Sequence, residues 1–342
     1  MTTIMTQTKL TLVDRTHPRA QRVAILAEPG RLELAHAEIP EPGEGELRIR
    51  VKWVGVCGSD VEAYRGTRQS EFLSTPTRLG HEVAGIIDKL GLGTEALREG
   101  DRVACRYVWG AFAEYIVCKP FNVKVLPRDF PLRGAGLIEI LPGVLHAAEL
   151  AEIDQKKDVL IIGQGVSGLT LTQVIKLFSP KRLAVTDLKE RNLSLAARYG
   201  ATHTYLIPTP ETPTMSVLGR DFPDGFDVVI PCLLEGDGMA DAMDCAAFAG
   251  RIVMYGCIGV CHKPLDFFKV HRKRLDIFST EPKRDIDMRR FFDESVEMVL
   301  GGLVETGGII THEIPLGRIQ EAFALRDNHL SGAIAVLVNC EE

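Results

Sequence analysis

The feature that most constrains the fold is a glycine-rich turn between an apolar strand pattern and an apolar helix pattern. The strand pattern is Val159–Ile162, and apolar periodicity continues after the turn to about Phe178. The turn itself reads Gly163-Gln164-Gly165-Val166-Ser167-Gly168. The first glycine permits a tight turn, the second lets backbone approach a bound group, and the third lets helix pack on strand. Because a helix N-terminus presents free N–H groups to phosphates, the pattern predicts a dinucleotide site at Gly163, Gly165, Val166 and Gly168.

An acidic residue ends the next predicted strand. Asp187 follows the apolar run Leu183–Thr186, at about the distance expected of a carboxylate that accepts hydrogen bonds from the adenosine ribose. A carboxylate there repels a 2′-phosphate, so the predicted coenzyme is NAD rather than NADP. Two alternatives stay open. Asp187 could be a solvated strand-end residue, and the nearby cations Lys189 and Arg191 keep NADP under consideration.

The chain changes character near Pro127. From Gln21 to about Val125, short alternating strands are broken by Gly and Pro, which is typical of a mostly antiparallel β domain. Beyond Pro127, strands and helices alternate, which indicates a parallel doubly wound sheet. The tail returns to β character, so the first domain is expected to be discontinuous. The predicted α/β organisation is a β-rich domain over 1–144 and 286–342, with 1–20 an accessory extension, and a doubly wound domain over 145–285.

Composition excludes some classes of partner. The formal net charge is −6, which argues against nucleic acid or an anionic membrane as a main partner. No apolar run approaches the roughly 20 residues of a membrane span, and the first residues lack an apolar signal core. The 8 cysteines show no paired-loop framework. We therefore expect a cytoplasmic protein in a reducing compartment.

Two glycine-flanked segments carry residue types that bind metals. They read Gly55-Val56-Cys57-Gly58-Ser59-Asp60 and Gly80-His81-Glu82-Val83-Ala84-Gly85. Thiolate, imidazole and carboxylate are ligands of zinc, which as a Lewis acid helps an alcohol lose its proton near neutral pH. A buried structural cysteine and a structural histidine are the alternatives. The flanking glycines suggest special backbone geometry, which a core residue would not require.

These segments resemble the zinc-containing medium-chain dehydrogenases, and the likeness covers nearly everything from residue 21 onward. Its motifs are 55–66, 80–85, Gly100-Asp101-Arg102-Val103, Ala111-Phe112-Ala113-Glu114-Tyr115, the glycine turn and the tail 311–338. The resemblance implies a GroES-like catalytic domain, a Rossmann coenzyme domain and an active site in the cleft between them. Cys57 and His81 match the first two zinc ligands of the family.

The resemblance also assigns roles around the metal. Glu82 matches an acidic residue that binds the metal in polyol-type members, and Glu139 resembles the third-ligand carboxylate of the sorbitol and threonine dehydrogenase branch. Glu82 and Glu139 could alternate as ligands during turnover. Ser59 fits the hydroxyl that takes the alcohol proton and passes it toward the ribose; the alternative for Ser59 is a turn-forming side chain.

The chain departs from the family pattern where many members carry a four-cysteine structural zinc lobe. Only 104–110 separates the flanking motifs here, and Cys105 with Cys118 cannot complete such a site. Cys257 and Cys261 belong to the other predicted domain. One zinc ion per chain is therefore expected. The family uses the missing surface in assembly, so the expected homo-oligomer is left open between dimer and tetramer.

Three further departures concern substrate and coenzyme. Glu62 stands where many members have the histidine that ends the proton relay, and it could accept a proton or hydrogen-bond a substrate hydroxyl or amine. Tyr64 matches an aromatic residue of the substrate pocket, with packing in the domain core as the alternative. Asn192 stands where members often place an arginine near the adenosine.

The sequence therefore predicts a zinc-dependent oxidoreductase that reversibly oxidises a secondary alcohol to a ketone, with hydride transfer to NAD. The carboxylates resemble the polyol branch, so the expected small-molecule substrate is a polyol, a cyclitol or an aminocyclitol. One alternative is a metal-free NADPH-dependent enone or quinone reductase, which the ligand set at Cys57, His81, Glu82 and Glu139 disfavours. The other is a non-catalytic NAD-binding structural protein.

Overall fold

The computed structural model describes residues 6–7, 10–67, 75–233, 237–256, 263–281, 288–328 and 331–342. These residues form two compact units, which are described separately. The first unit comprises Met1–Ile140 and Glu305–Glu342, and the second comprises Leu141–Val304. Cys257 and Cys261 lie outside the described residues.

The strands and helices are numbered in chain order. The strands are β1 Thr6–Gln7, β2 Ala20–Glu28, β3 Arg31–Glu38, β4 Leu47–Gly55, β5 Glu82–Leu90, β6 Arg102–Cys105, β7 Val108–Trp109, β8 Tyr115–Cys118, β9 Val123–Leu126, β10 Asp158–Ile162, β11 Arg182–Asp187, β12 His203–Leu206, β13 Phe226–Pro231, β14 Ala246–Met254, β15 Asp276–Ser279, β16 Ile310–Pro315 and β17 Ala335–Asn339. The α-helices are α1 Gly58–Arg65, α2 Leu141–Ala151, α3 Val166–Lys176, α4 Glu190–Arg198, α5 Thr214–Leu218, α6 Gly238–Cys245, α7 Phe267–Lys273, α8 Arg289–Leu300 and α9 Ile319–Asp327.

The first unit is built on a sheet in the order β16-β17-β4-β5-β6-β9, with β8 also paired to β4. The pairs within it are antiparallel except β16 with β17, which are parallel. Strands β2 and β3 form a separate antiparallel pair. Alternating apolar residues of these strands form a core in which Ile49, Phe112 and Phe323 are almost completely buried. The tail therefore completes this unit through β16, α9 and β17.

The described part of the N-terminal segment is tied to the first unit. Strand β1 runs parallel to β7, pairing Thr6 with Val108 and Gln7 with Trp109. Further along, the Val13 amide donates to the His36 carbonyl at 3.0 Å. Backbone hydrogen bonds thus hold this accessory extension against strands of the unit.

The second unit is a parallel sheet in the order β12-β11-β10-β13-β14-β15, with all neighbouring pairs parallel. Every residue of β10 is buried, as expected of a central strand covered on both faces. The strand order reverses between β10 and β13. Ligands of open parallel sheets bind outside the carboxyl ends of the strands at such a reversal. The predicted α/β class, with its doubly wound sheet, is confirmed.

The boundaries between the two compact units lie at 140/141 and 304/305. The domain boundaries predicted from the sequence are 144/145 and 285/286. At the first observed boundary a 3₁₀ segment, Leu132–Ile140, is followed directly by helix α2. At the second point, α8 packs on α2 within the second unit, with Phe291 and Phe292 buried. The amphipathic pattern of α8 shows that one face is buried but not which helix covers it.

One helical run among the described residues is long and apolar enough to cross a membrane by length and composition alone. This run is Leu132–Ala151, and 67% of its most apolar 18-residue stretch is buried inside the structure. Such burial is typical of a core helix, and the run contains the charged Arg133 and Glu139.

Candidate metal centre and coenzyme site

Three of the four predicted metal ligands lie together in the first unit. The ligand atoms of Cys57, His81 and Glu82 are all within 4.8 Å of one another. Cys57 is the N-cap residue of α1, His81 immediately precedes β5, and Glu82 is the first residue of β5. The end of β4, which leads into α1, pairs with the start of β5, and this pairing brings the two glycine-flanked segments side by side.

The flanking glycines make room for Glu82. Gly55 is the register partner of Glu82, and a Cβ atom on Gly55 would lie 2.0 Å from the Glu82 Oε2 atom. On the backbone side, a Cβ atom on Gly136 would lie 2.5 Å from the Glu82 carbonyl oxygen. Gly80 adopts a φ of 95°, which disfavours residues with a side chain. These contacts explain why a functional carboxylate here requires glycine neighbours.

Asp60 links the two segments and was not among the predicted site residues. Its carboxylate is fully buried and accepts hydrogen bonds from the Cys57 amide at 3.1 Å and the Gly80 amide at 3.0 Å. The same group lies 3.6 Å from the His81 Nδ1 atom. A carboxylate facing one ring nitrogen orients a histidine and leaves the other nitrogen for a metal. Its place three residues after the cysteine in Cys57-Gly58-Ser59-Asp60 was the available signal.

An aromatic ring stacks on His81. The Trp109 ring lies 4.9 Å from the His81 ring, with 12° between the ring planes. Trp109 belongs to β7, in the short connection that replaces the four-cysteine lobe, and this strand pairs with β1. The N-terminal extension is thus connected to a candidate ligand through one short strand.

The surroundings of Cys57 and Glu82 disfavour the ionised forms of these two side chains. Burial raises the pKa of Glu82 to about 7, with charges of Glu139 and Asp60 adding to it and His81 opposing it. Burial and the Glu82 charge also raise the pKa of the Cys57 thiol. Burial alone would lower the pKa of His81, but Asp60 and Cys57 together raise it well above its usual value. A thiol and a carboxyl group that resist ionisation without a cation, beside an imidazole held by Asp60, form a set of sulfur, nitrogen and oxygen donors that fits a zinc ion.

Glu139, the fourth predicted ligand, lies outside the group of three. Its Oε1 atom is 3.5 Å from Arg106 Nη1, and Arg106 also donates to the Glu139 carbonyl oxygen. Its charge nevertheless reaches Glu82 and contributes to the raised pKa there. In this structure Glu82 joins Cys57 and His81, while Glu139 is held by an arginine close by.

The three predicted catalytic residues all lie on α1. Ser59 is the second residue of the helix and is partly exposed, whereas Glu62 is buried. Tyr64 has the contacts of a packing residue. Its ring lies 5.3 Å from the Phe323 ring, and its hydroxyl accepts a hydrogen bond from Gln320 at 2.7 Å. These contacts agree with the core-packing alternative for Tyr64.

The glycine turn of the second unit joins β10 to α3. Gly163 adopts a φ of 91°, and Gly165 is the N-cap of α3. A Cβ atom on Gly168 would lie 1.9 Å from the Gly163 carbonyl oxygen, whereas a Cβ atom on Gly165 would meet nothing within 4 Å. The first and third glycines therefore serve the turn and the helix–strand contact, and the second leaves open space above the Val166 end of the helix.

Asp187 ends β11 beside this turn. One carboxylate oxygen accepts a hydrogen bond from the Gln164 amide at 2.7 Å, and the other accepts from the Lys189 amide at 2.8 Å. The buried Asn192 side chain donates to that second oxygen at 3.2 Å. Asn192, noted above as a departure, thus helps to fix the direction of Asp187.

Comparison with known proteins agrees with both units. Residues 43–128 match the family model for an alcohol dehydrogenase GroES-like domain, and residues 167–292 match the model for a zinc-binding dehydrogenase. The chain belongs to the zinc-containing medium-chain alcohol dehydrogenase family, near its polyol and threonine dehydrogenase branch.

Among its relatives is galactitol 1-phosphate 5-dehydrogenase of Escherichia coli K12, 30% identical over 285 residues, which covers 73% of this chain and 80% of the relative. L-threonine 3-dehydrogenase of Coxiella burnetii is 29% identical, covering 92% of this chain and 97% of the relative. A solved structure of a zinc-binding dehydrogenase from Sinorhizobium meliloti 1021, bound to NADP, shares the fold with a TM-score of 0.81. It has 23% identity and covers 94% of this chain and 99% of that one.

Proposed function

We propose that the protein is a zinc-dependent dehydrogenase that reversibly oxidises a secondary alcohol to a ketone and passes the hydride to NAD. The observation that carries the proposal is the group of Cys57, His81 and Glu82, in which Glu82 is buried and the other two are partly buried, with Asp60 facing His81. The reaction class is proposed from the alcohol dehydrogenase family to which the chain belongs. The expected substrate is a small polyol, cyclitol or aminocyclitol.

Each donor of the group has a structural reason for its place. Cys57 is fixed by the start of α1, His81 by Asp60 and the stacked Trp109, and Glu82 by the strand pair that places it opposite Gly55. A bound zinc ion would act as a Lewis acid that makes an alcohol hydroxyl acidic near neutral pH. We assign one zinc ion to each chain. Glu139 is the carboxylate that could exchange with Glu82 as a ligand.

The proton of the alcohol requires an acceptor close to the metal. Ser59, two residues after Cys57 on the first turn of α1, is the proposed hydroxyl that takes it. Glu62, one helical turn further along, is buried in the same helix and is the proposed group beyond Ser59. Tyr64 is given no catalytic role in this proposal, since its ring packs against Phe323 and its hydroxyl is hydrogen-bonded to Gln320.

The coenzyme is proposed to be NAD, bound by Gly163, Gly165, Val166, Gly168 and Asp187. Asp187 supports this choice because its negative charge, fixed by three hydrogen bonds, would repel a 2′-phosphate. The NADP-bound structure from Sinorhizobium shows that the fold itself does not decide between the two coenzymes.

The names of two relatives support a secondary alcohol as the substrate. Galactitol 1-phosphate oxidised at carbon 5 and L-threonine oxidised at carbon 3 both carry their reacting hydroxyl on a secondary carbon. We further propose a cytoplasmic homo-oligomer, either a dimer or a tetramer, that binds neither nucleic acid nor membranes.

The test is a screen of polyols, cyclitols, aminocyclitols and their acidic derivatives with zinc-loaded protein, following NADH absorbance. Cys57→Ala should lose zinc and lower kcat/KM by at least about 1000-fold, since the metal supplies several kcal/mol of catalysis. Cys105→Ala, a buried cysteine outside the group, is the control and should keep both. Full activity of Cys57→Ala would overturn the mechanism. Reduction of enones with NADPH by zinc-free protein would favour the reductase alternative instead.

A further inference from the structure

Arg106 is fixed in the first unit by contacts at both its backbone and its side chain. Its amide donates to the Asn122 carbonyl oxygen at 2.8 Å, and the fully buried Asn122 side chain donates to the Arg106 carbonyl oxygen at 2.9 Å. The guanidinium lies 4.6 Å from the Tyr107 ring centre. Arg106 belongs to the short connection, 104–110, that stands in place of the four-cysteine lobe, and only 9% of the residue is exposed.

The guanidinium of Arg106 contacts Glu139, the predicted fourth metal ligand. The Nη1 atom of Arg106 donates to the Glu139 carbonyl oxygen and lies 3.5 Å from the Glu139 Oε1 atom. Only 10% of the Arg106 side chain and 15% of the Glu139 side chain are exposed. A pair so well covered is screened little by salt. Arg106 therefore holds both the backbone and the carboxylate of Glu139.

The segment that carries Glu139 packs against Glu82. Residues three apart in a 3₁₀ helix project from the same side, so Gly136 and Glu139 share one side of Leu132–Ile140. That side faces Glu82, because a Cβ atom on Gly136 would lie 2.5 Å from the Glu82 carbonyl oxygen. The Glu139 carboxylate is nevertheless outside the group whose ligand atoms lie within 4.8 Å of one another. The segment thus brings Glu139 to the metal centre, where Arg106 receives its carboxylate.

The number of protein donors decides what a zinc site can do. A structural site has four protein ligands, whereas a catalytic site has three and keeps one position open for water or substrate. Cys57, His81 and Glu82 supply three donors. A fourth donor from Glu139 would complete the tetrahedral set, and an alcohol could then bind only by displacing a protein ligand.

We propose that Arg106 is a positioning residue that withholds Glu139 from the metal, so that Glu82 is the resting carboxylate ligand and one position stays open for the alcohol. The inference rests on the proposed function and concerns the control of the same site. Any exchange of Glu82 for Glu139 during turnover then requires Arg106 to release the carboxylate. Arg106 acts through Glu139 and takes no part in moving the hydride or the proton.

The experiment compares zinc affinity and alcohol oxidation in wild type, Arg106→Gln, Glu139→Gln and the double variant. Without the arginine, Glu139 should join the other three donors. Arg106→Gln should therefore bind zinc about 10-fold more tightly than wild type, the scale on which neighbouring groups change metal affinity. Its kcat/KM should fall at least about 10-fold, since the alcohol must displace a carboxylate. The double variant should return both quantities to those of Glu139→Gln, whereas a merely structural role of Arg106 would weaken zinc binding.

Cobalt in place of zinc gives a readout that needs no turnover, because its visible absorption depends on the donors around it. Imidazole added to cobalt-loaded wild type should change the spectrum by taking the open position. Arg106→Gln should need at least about 10-fold more imidazole for the same change, since its fourth position is filled. Arg106→Lys should fall between the two, because one ammonium replaces a planar set of donors. Arg102→Gln is the matched control and should respond as wild type, since the Arg102 guanidinium donates to the Phe130 carbonyl oxygen at 2.8 Å.

Two outcomes would overturn the assignment. One is zinc binding by Arg106→Gln that is equal to or weaker than that of wild type. The other is a loss of zinc affinity in Glu139→Gln as large as in Glu82→Gln, which would make Glu139 a resting ligand and decides the question even if Arg106→Gln does not fold. Failure of the proposed function would look different. No variant would then oxidise any alcohol, while zinc affinity and the cobalt spectra would still report on Arg106.

Discussion

At the scale of single residues, the candidate metal centre depends on one buried carboxylate that is not itself a ligand of the group. Asp60 accepts backbone hydrogen bonds from both ligand-bearing segments and faces His81. Its role is therefore to hold Cys57 and His81 in register and to direct the imidazole. Removing its charge should affect metal binding before it affects the fold.

Asp60→Asn tests this role. The amide keeps the size of the side chain and can still accept one backbone hydrogen bond, but it no longer stabilises a histidine bound to a cation. We expect zinc affinity to fall about 10- to 100-fold, the usual effect of losing a carboxylate behind a metal-binding histidine. Competition with a fluorescent chelator measures the affinity. Asp88→Asn, a change in the same unit at a carboxylate that pairs with Arg48, should leave it unchanged.

Zinc affinity should also depend on pH with a definite sign. The pKa of Glu82 is raised to about 7 and that of Cys57 is raised in the metal-free chain, so both groups hold protons that a metal must displace. Affinity should therefore increase as pH rises through about 7, and binding should release protons. Calorimetry in buffers of different ionisation enthalpy counts these protons. Glu82→Gln should release fewer than wild type, and a pH-independent affinity would contradict the pKa shifts.

At the scale of elements, an ion pair fastens adjacent strands of the parallel sheet. Asp158 at the start of β10 accepts two hydrogen bonds from Arg182 at the start of β11, at 2.8 and 2.5 Å. The Arg182 guanidinium also lies 4.0 Å from the Phe222 ring centre. Arg182 is the main reason why the pKa of Asp158 is lowered in the folded chain.

Asp158→Asn should lower the free energy of unfolding by about 1.5–3 kcal/mol at neutral pH, the range for hydrogen bonds between charged groups. Because the folded-state pKa is the lower one, this stability is fully present above the unfolded pKa of about 4 and is lost as pH falls below it. Denaturant titrations at pH 7 and pH 3.5 measure the difference. Glu149→Gln, at an ion pair in which both side chains are more than half exposed, should cost no more than about 1 kcal/mol.

At the scale of the whole molecule, the short 104–110 connection predicts the metal content. With no room for a four-cysteine lobe, each chain should bind one zinc ion, measurable by elemental analysis against protein concentration. A metal that binds the native state alone stabilises it by mass action, so a chelator should lower the melting temperature. Two zinc ions per chain, or a melting temperature insensitive to the chelator, would contradict this prediction.

What could be predicted from the sequence is what depends on local pattern. The strand periodicity, the Gly163–Gly168 turn and the glycines beside Cys57 and His81 each follow from the chain over a few residues. Asp60 and Trp109 were missed because their roles depend on strand pairing, which brings distant parts of the chain together. The same holds for α8, since an amphipathic helix does not specify the helix that covers it. Glu139 was singled out only by its resemblance to a ligand of the family, and its partner Arg106 is brought to it only by the fold.

Because Trp109 stacks on His81, its fluorescence should report changes at the candidate metal centre. The chain contains 2 tryptophans, Trp53 and Trp109, and only Trp109 contacts a candidate ligand ring among the described residues. In a Trp53→Phe background, emission would come from Trp109 alone, and an imidazolium is a stronger quencher of indole than a neutral imidazole. Loading of the metal and protonation of His81 should then be visible as opposite changes in brightness, in real time and without an added dye.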